Sequence, residues 1–193
     1  PQVYVYNLYQ DTSGDMWICT WEDGLFHLSD SGIAHYTDGR KTGKEELSSN
    51  SVRDCCEDNQ GNMWIATFNG LDKFDKKTRK FTCYAPSDVP GSLSNSSVYC
   101  IIKDHQGTMW VGTYFGGANY FNPEYEIYTY YYPDESQKGK LTSPFAGRMK
   151  EDSKGGIWIA TEGGGVNYLN RKTKSFIEYK HSNQSNSLAS NTI

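Results

Sequence analysis

The chain has 193 residues, of which 36% are hydrophobic, 15% aromatic and 22% charged, with 15 tyrosines against 6 prolines. That is too aromatic for a disordered tract, and no apolar run approaches the ~18–20 residues of a membrane-spanning helix. With 19 basic against 23 acidic residues, a net charge of −4 and no basic stripe, neither nucleic acid nor direct membrane insertion is expected.

Read from its start, Pro1–Tyr6 carries no basic flank or long apolar core, so no signal peptide is expected there. Val3–Gln10 reads as a strand and runs into a pattern of Asp-x-x-Gly-x-(Met/Ile)-Trp-(Ile/Val)-small-Thr. The pattern recurs on Asp11, Gly14 and Trp17; on Asp58, Gly61 and Trp64; on Asp104, Gly107 and Trp110; and on Asp152, Gly155 and Trp158. The tryptophans are spaced 47, 46 and 48 residues apart. A recurrence of this period marks a repeat architecture.

The second repeat shows the unit most clearly. Val52–Glu57 reads as a first strand, and Asp58–Gly61 as a tight turn in which Asp bonds nearby backbone and Gly takes positive φ. Met63–Phe68 is a second strand, Asn69-Gly70 a favoured hairpin turn, and Leu71–Phe74 and Phe81–Tyr84 are the third and fourth. A polar connection, Ala85–Ser97, leads onward. Four antiparallel strands in about 46 residues is the size of one propeller blade. The second strands are apolar or small on both faces, which suits a blade held between two others rather than a sheet with one wet face. The small residue two after each Trp (Cys19, Ala66, Gly112, Ala160) is expected to leave room for a ring of the next blade.

The expected fold is therefore all-β, a β-propeller segment of four four-stranded antiparallel blades. Blade 1 spans about 3–40, blade 2 about 50–86, blade 3 about 96–133 and blade 4 about 145–181. Leu188–Ile193 repeats the pattern of Leu47–Val52, so 187–193 is expected to begin a further blade of a larger propeller. Blade faces of the buried type would then lie open at both ends, and self-association or contact with remaining blades is expected.

The recurring residues read as structural. A catalytic acid is needed once or twice per site, not once per blade, so Asp11, Asp58, Asp104 and Asp152 are turn formers. The four tryptophans belong to the core, each indole N–H seeking a partner. The histidines (His27, His35, His105, His181) lack metal-ligand spacing, and the five cysteines contain no C-x-x-C, so neither a metal nor a cofactor is expected. The cysteines read as small buried hydrophobes.

Residues that vary between repeats are the candidates for binding. Turns between second and third strands share one end of the blades with the connections between blades, opposite the Asp-x-x-Gly turns. That end gathers Trp21, Glu22, Asp23, Phe68, Asn69, Tyr114, Phe115 and Phe145, with Arg148 expected at the rim of a central channel. Aromatic platforms beside hydrogen-bonding groups suit an oligosaccharide, and loops on a rigid scaffold commonly carry binding. A glycosidase or lyase, needing paired carboxyls across a cleft, and a purely structural propeller are the other readings.

The signature running from Asp58 to Leu71 resembles the two-component regulator propeller repeat. Two copies depart mildly from it, with Gly117-Ala118 and Gly165-Val166 in place of Gly-Leu. The resemblance implies a non-enzymatic periplasmic sensor region of a hybrid two-component system of the Bacteroidetes type. It further implies downstream domains including a histidine kinase, an inner-membrane anchor elsewhere in the protein, and signalling in response to oligosaccharides.

Overall fold

The computed structural model describes residues 3–39, 46–134 and 136–193; residue 40, the expected close of blade 1, lies outside them. Each repeat forms one antiparallel sheet whose strands neighbour one another in chain order. Blade 1 holds β1 (Val5–Gln10), β2 (Met16–Thr20), β3 (Leu25–Ser29) and β4 (Gly32–Tyr36). Blade 2 holds β5 (Val52–Glu57), β6 (Met63–Thr67), β7 (Gly70–Asp75) and β8 (Lys80–Tyr84). Blade 3 holds β9 (Val98–Lys103), β10 (Met109–Thr113), β11 (Ala118–Phe121) and β12 (Thr129–Tyr131). Blade 4 holds β13 (Ala146–Glu151), β14 (Ile157–Thr161), β15 (Gly165–Asn170) and β16 (Ser175–Tyr179).

One carboxylate organises the first hairpin of every blade. In blade 2, Asp58 Oδ1 accepts the backbone N–H groups of Gln60 and Asn62, both at 2.9 Å, and Oδ2 accepts Trp64 Nε1 at 2.9 Å. The indole bonds of Trp17, Trp110 and Trp158 to Asp11, Asp104 and Asp152 measure 2.8, 2.9 and 3.2 Å. The glycine of each turn takes φ between 79° and 91°, where a Cβ would be strained. At the far end of each second strand a fully buried threonine closes the next hairpin. Thr20, Thr67, Thr113 and Thr161 donate Oγ1–H to the carbonyls of Gly24, Gly70, Gly117 and Gly165.

The core lies between blades rather than within them. Trp17, Cys19 and Leu25 of blade 1 pack with Val52, Cys55, Met63 and Ile65 of blade 2. Trp64, Ala66 and Leu71 meet Val98, Ile101, Met109 and Val111. Trp110 and Ala118 meet Ala146, Met149, Ile157 and Ile159. Consequently β6 and β10 are buried at every residue. Inner strands pack in sequence, β1 on β5, β5 on β9 and β9 on β13, with no comparable packing of β13 on β1 among the described residues. The faces of the end blades are more open: Val5, Leu8 and Ile33 are exposed on blade 1, and Ile177 and Tyr179 on blade 4.

Two expectations need correction. The small residue after each Trp does not leave room for a ring where its neighbour is seen. Cys19 Sγ lies 3.5 Å from Cys55 Sγ, and a Cβ on Gly112 would come within 2.3 Å of the Ala146 carbonyl oxygen. What these positions admit is the first strand of the next blade. The connections are also not wholly polar, because Leu47, Leu93 and Leu141 plug the interblade cores. Four of the five cysteines are buried and free, whereas Cys83 is exposed.

Charged clasps add to the apolar contact between certain blades. Glu57 accepts the backbone N–H of Thr12 at 2.8 Å, and Lys76 bridges Glu57 and Asp11 at 2.5 and 2.6 Å. Burial works against ionisation of Asp11 and Glu57, but the hydrogen bonds and charge of Lys76, joined by Trp17 and Asp15 at Asp11 and by Thr12 at Glu57, together hold both carboxyls below their ordinary range. Blades 3 and 4 repeat the device with Glu151, the N–H of His105, and Arg171 on Asp104. Between blades 2 and 3, Lys103 and Pro123 occupy the corresponding places. There Glu126 reaches back instead, accepting from Lys73 Nζ and Tyr84 Oη at 2.6 Å each.

Asp58→Ala strands one indole and two backbone donors in a buried turn. At ~1–3 kcal/mol for each unsatisfied buried group, partly relieved by water, the expected loss is about 3–5 kcal/mol. Asp152→Ala, in a turn more open to solvent where water can replace the lost acceptor, should cost clearly less. Urea denaturation of both variants checks this, and parent-like stability of Asp58→Ala would show that the carboxylate is not what sets the turn.

Candidate ligand-binding face

The register of every inner hairpin slips at one place. Pairing jumps between Val5 and Asn7, Val52 and Asp54, Val98 and Cys100, and Ala146 and Arg148. The skipped residues are Tyr6, Arg53, Tyr99 and Gly147, at equivalent positions in the four blades. A bulge re-aims the side chain that it carries, and here it turns those side chains toward the end that bears the second-to-third-strand turns.

The ring contacts show what gathers there. Tyr6 stacks with Trp21 at 5.8 Å, and Tyr99 is bonded to the Tyr6 hydroxyl, which together with burial holds its phenol above the ordinary range. The Arg53 guanidinium carbon lies 4.3 Å from the Tyr99 ring centre and 5.2 Å from that of Phe68. Phe145 packs edge-on to Tyr99 at 4.8 Å and to Tyr114 at 5.1 Å, and Tyr114 packs on Phe115 at 4.4 Å. Gly147 has no side chain to contribute; a Cβ there would meet Phe145 Cε1 at 2.9 Å, so Phe145 fills the vacant quarter.

Of the residues singled out in the sequence, Trp21, Phe68, Tyr114 and Phe115 present accessible rings at this end, from 40% to 59% exposed. Phe145 is buried and supports the others. Glu22 is exposed, the Asp23 backbone carbonyl accepts from His35 Nε2, and Asn69 Nδ2 reaches the Ser48 carbonyl at 3.4 Å. Arg148 stands apart from the rings. It lines a cavity of about 440 Å³ among the inner strands and lies 4.0 Å from Asp54. Asp54 also accepts from Asn7 Nδ2 at 2.6 Å and from the Ile101 N–H at 3.0 Å, yet burial keeps its carboxyl raised. Tyr6, Arg53 and Tyr99 were not singled out for the face, although one clue was present: a non-repeating residue sits directly after the valine that opens each of these three strands.

On the opposite end, Asp11, Asp15 and His27 come within 4.8 Å of one another, a grouping that the spacing of the histidines does not reveal. Its atoms are already engaged. His27 Nε2 bonds Asp15 at 2.8 Å, and Asp11 holds Trp17, Lys76 and two backbone N–H groups.

The sequence model described as "two component regulator propeller" matches residues 1–22, 46–69 and 92–115. Three of the four blades thus carry a repeat that matches this model. Among solved structures, the chain is similar to the extracellular domain of a putative hybrid two component system of B. thetaiotaomicron, at 26% identity and a TM-score of 0.78 over 92% of its length. A second such extracellular domain from the same organism is 25% identical, with a TM-score of 0.76 over 91%. In both cases the chain spans 25% of the matched ectodomain. Virginiamycin B lyase of Staphylococcus aureus shares the fold alone, at 14% identity and a TM-score of 0.69 over 95% of this chain and 58% of that one. No curated protein matches the sequence.

Beneath its aromatic end the chain carries a buried polar pair in three blades. Asn119 Nδ2 donates to Ser94 Oγ and Asn167 Nδ2 to Thr142 Oγ1, both at 2.7 Å. In blade 2 the same position is an acid: Asp72 Oδ2 accepts from Ser48 N and Oγ at 2.8 and 3.0 Å, and Oδ1 has no partner. The recurrence of Asp or Asn two residues after the hairpin glycine was the available signal. Burial raises the Asp72 carboxyl to about 6, against the pull of its Ser48 and Cys83 hydrogen bonds. A folded-state value above the unfolded ~3.9 means stability that is present at low pH and lost as pH rises from about 4 through 6. Asp72→Asn, which copies blades 3 and 4, should therefore gain about 1–3 kcal/mol at pH 7.5 and almost nothing at pH 4. Denaturation at the two pH values decides it; a pH-independent difference would refute the assignment.

Proposed function

We propose that this chain is a non-enzymatic, ligand-binding segment of the periplasmic sensor region of a hybrid two-component system, and that its ligand is an oligosaccharide. The observation that carries the reading is the cluster of accessible rings, Trp21, Phe68, Tyr114 and Phe115, raised at one end of the blades and backed by the bulge residues. Flat apolar faces complement the C–H faces of sugar rings, while Glu22, Asp23 and Asn69 supply polar groups for hydroxyls. The support from relatives is that similar folds form extracellular domains of such systems.

The segment is proposed to sit within a larger propeller, its open end faces meeting remaining blades or a second copy of the chain. Val5, Leu8 and Ile33 supply that apolar surface on blade 1. Domains beyond it, including a histidine kinase, would convert occupancy into signal.

The test is calorimetry on the intact ectodomain against a panel of oligosaccharides, with Trp21→Ala, Phe68→Ala and Tyr114→Ala beside the parent. Loss of a stacking face or of a buried polar partner costs ~1–3 kcal/mol, so affinity should fall about tenfold or more in each variant. Parent-like affinity in all three, with normal folding, would make this segment scaffold. Turnover of the sugar would make it an enzyme.

A further inference from the structure

We infer that the ligand carries an oxyanion, a carboxylate or a sulfate, and that Arg53 is the residue that reads it; the inference rests on the ligand-binding reading of the aromatic face. Arg53 is 5% exposed. Among the described residues its hydrogen bonds are confined to Nη1, which donates to Ser97 Oγ at 3.0 Å and to the Val98 carbonyl at 3.1 Å, while Nε has no partner. Every group that touches the guanidinium is neutral, and no carboxylate lies within 4.0 Å among the described residues. An arginine does not shed its proton to escape such a place.

The rest of the chain treats partly buried cations differently. Lys76 is held by Asp11 and Glu57, and Arg171 by Asp104 and Glu151. The acid next to Arg53 in sequence offers no relief, because the bulge sends Asp54 into the channel, where Asn7, the Ile101 N–H and Arg148 occupy it. Nor does the fold require a cation here. Blades 1 and 3 place Tyr6 and Tyr99 at the same bulge, and blade 4 places Gly147. A charge that the architecture does not need and does not neutralise is complementary to a charge that arrives from outside.

The surroundings define the chemistry of that group. A guanidinium fork matches the paired oxygens of a carboxylate or sulfate, and burial against Phe68 and Tyr99 strengthens the attraction by excluding water. The Tyr99 and Phe68 rings flank it at 4.3 and 5.2 Å, so an acidic sugar could present its charge to Arg53 and its ring to Phe68 or Tyr114. The expected ligand class is thus an acidic saccharide rather than a neutral one.

The experiment uses the chain with four small probes: glucuronate, glucuronate methyl ester, glucose 6-sulfate and glucose. Binding is followed by thermal shift and by the Nε–H resonance of Arg53. Glucuronate or the sulfate should stabilise the protein and shift that resonance, the two arms separating a carboxylate reader from a sulfate reader. The ester and glucose should bind at least tenfold more weakly. Arg53→Met should abolish the preference for charged sugars, and Arg53→Tyr, which copies the sister blades, guards against a variant that fails to fold. If charged and neutral sugars bind alike, and both variants bind like the parent, the oxyanion inference falls while the saccharide reading stands. If no probe binds and the resonance does not move, both fall.

Discussion

The hydrogen bond from a tryptophan indole to an aspartate six residues earlier is the constraint on which this architecture depends. The aspartate occupies both of its oxygens at once. One gathers two backbone N–H groups and so shapes the turn, while the other fixes the indole that follows. Turn geometry, strand register and the position of the largest core side chain are therefore set together by one carboxylate. Repeating it at intervals close to 47 residues produces blades that are alike enough to stack. A carboxylate this deep is tolerable because charge-assisted hydrogen bonds satisfy it. In blades 1 and 3 a cation from the following blade completes the set.

Most of the fold was legible because that constraint is local in sequence. Asp, Gly, Trp and Thr recur at fixed offsets, and the strands of blade 2 emerge within a residue of where alternation and turn residues place them. What escaped was either nonlocal or carried by one residue. Leu93 sits in a polar stretch and betrays nothing until blade 3 closes over it. The contact of Cys19 with Cys55 depends on how close two strands of different blades approach, which composition alone does not state. The polar pairs at Asp72, Asn119 and Asn167 had a periodic signal, yet an overt Trp motif in the same repeats drew the eye first.

The candidate face was legible in outline and not in detail, for a physical reason. Strand alternation and blade topology assign turns to an end, which brings Trp21, Phe68 and Tyr114 to the same side. A bulge breaks alternation by one residue, and no residue type announces it. Two arginines at neighbouring repeat positions thus go to different places. Arg148, expected at the channel rim, lies beside Asp54 among the inner strands, while Arg53 slides under the rings. Only the slipped register says which of the two meets the aromatic end.

The clasps between blades have a rhythm of their own. The cation that bridges back to the preceding turn is present at the first and third interfaces and replaced at the second by an anion, Glu126, that reaches back onto Lys73 and Tyr84. Chemically, then, the unit of assembly is two blades long, although the backbone repeats with every one. Lengthening such an array by a single blade would leave a mismatched seam, with one joint facing a neighbour built for the other kind of fastening. Lengthening it by two would keep every joint in step, so an array of this kind grows coherently by pairs.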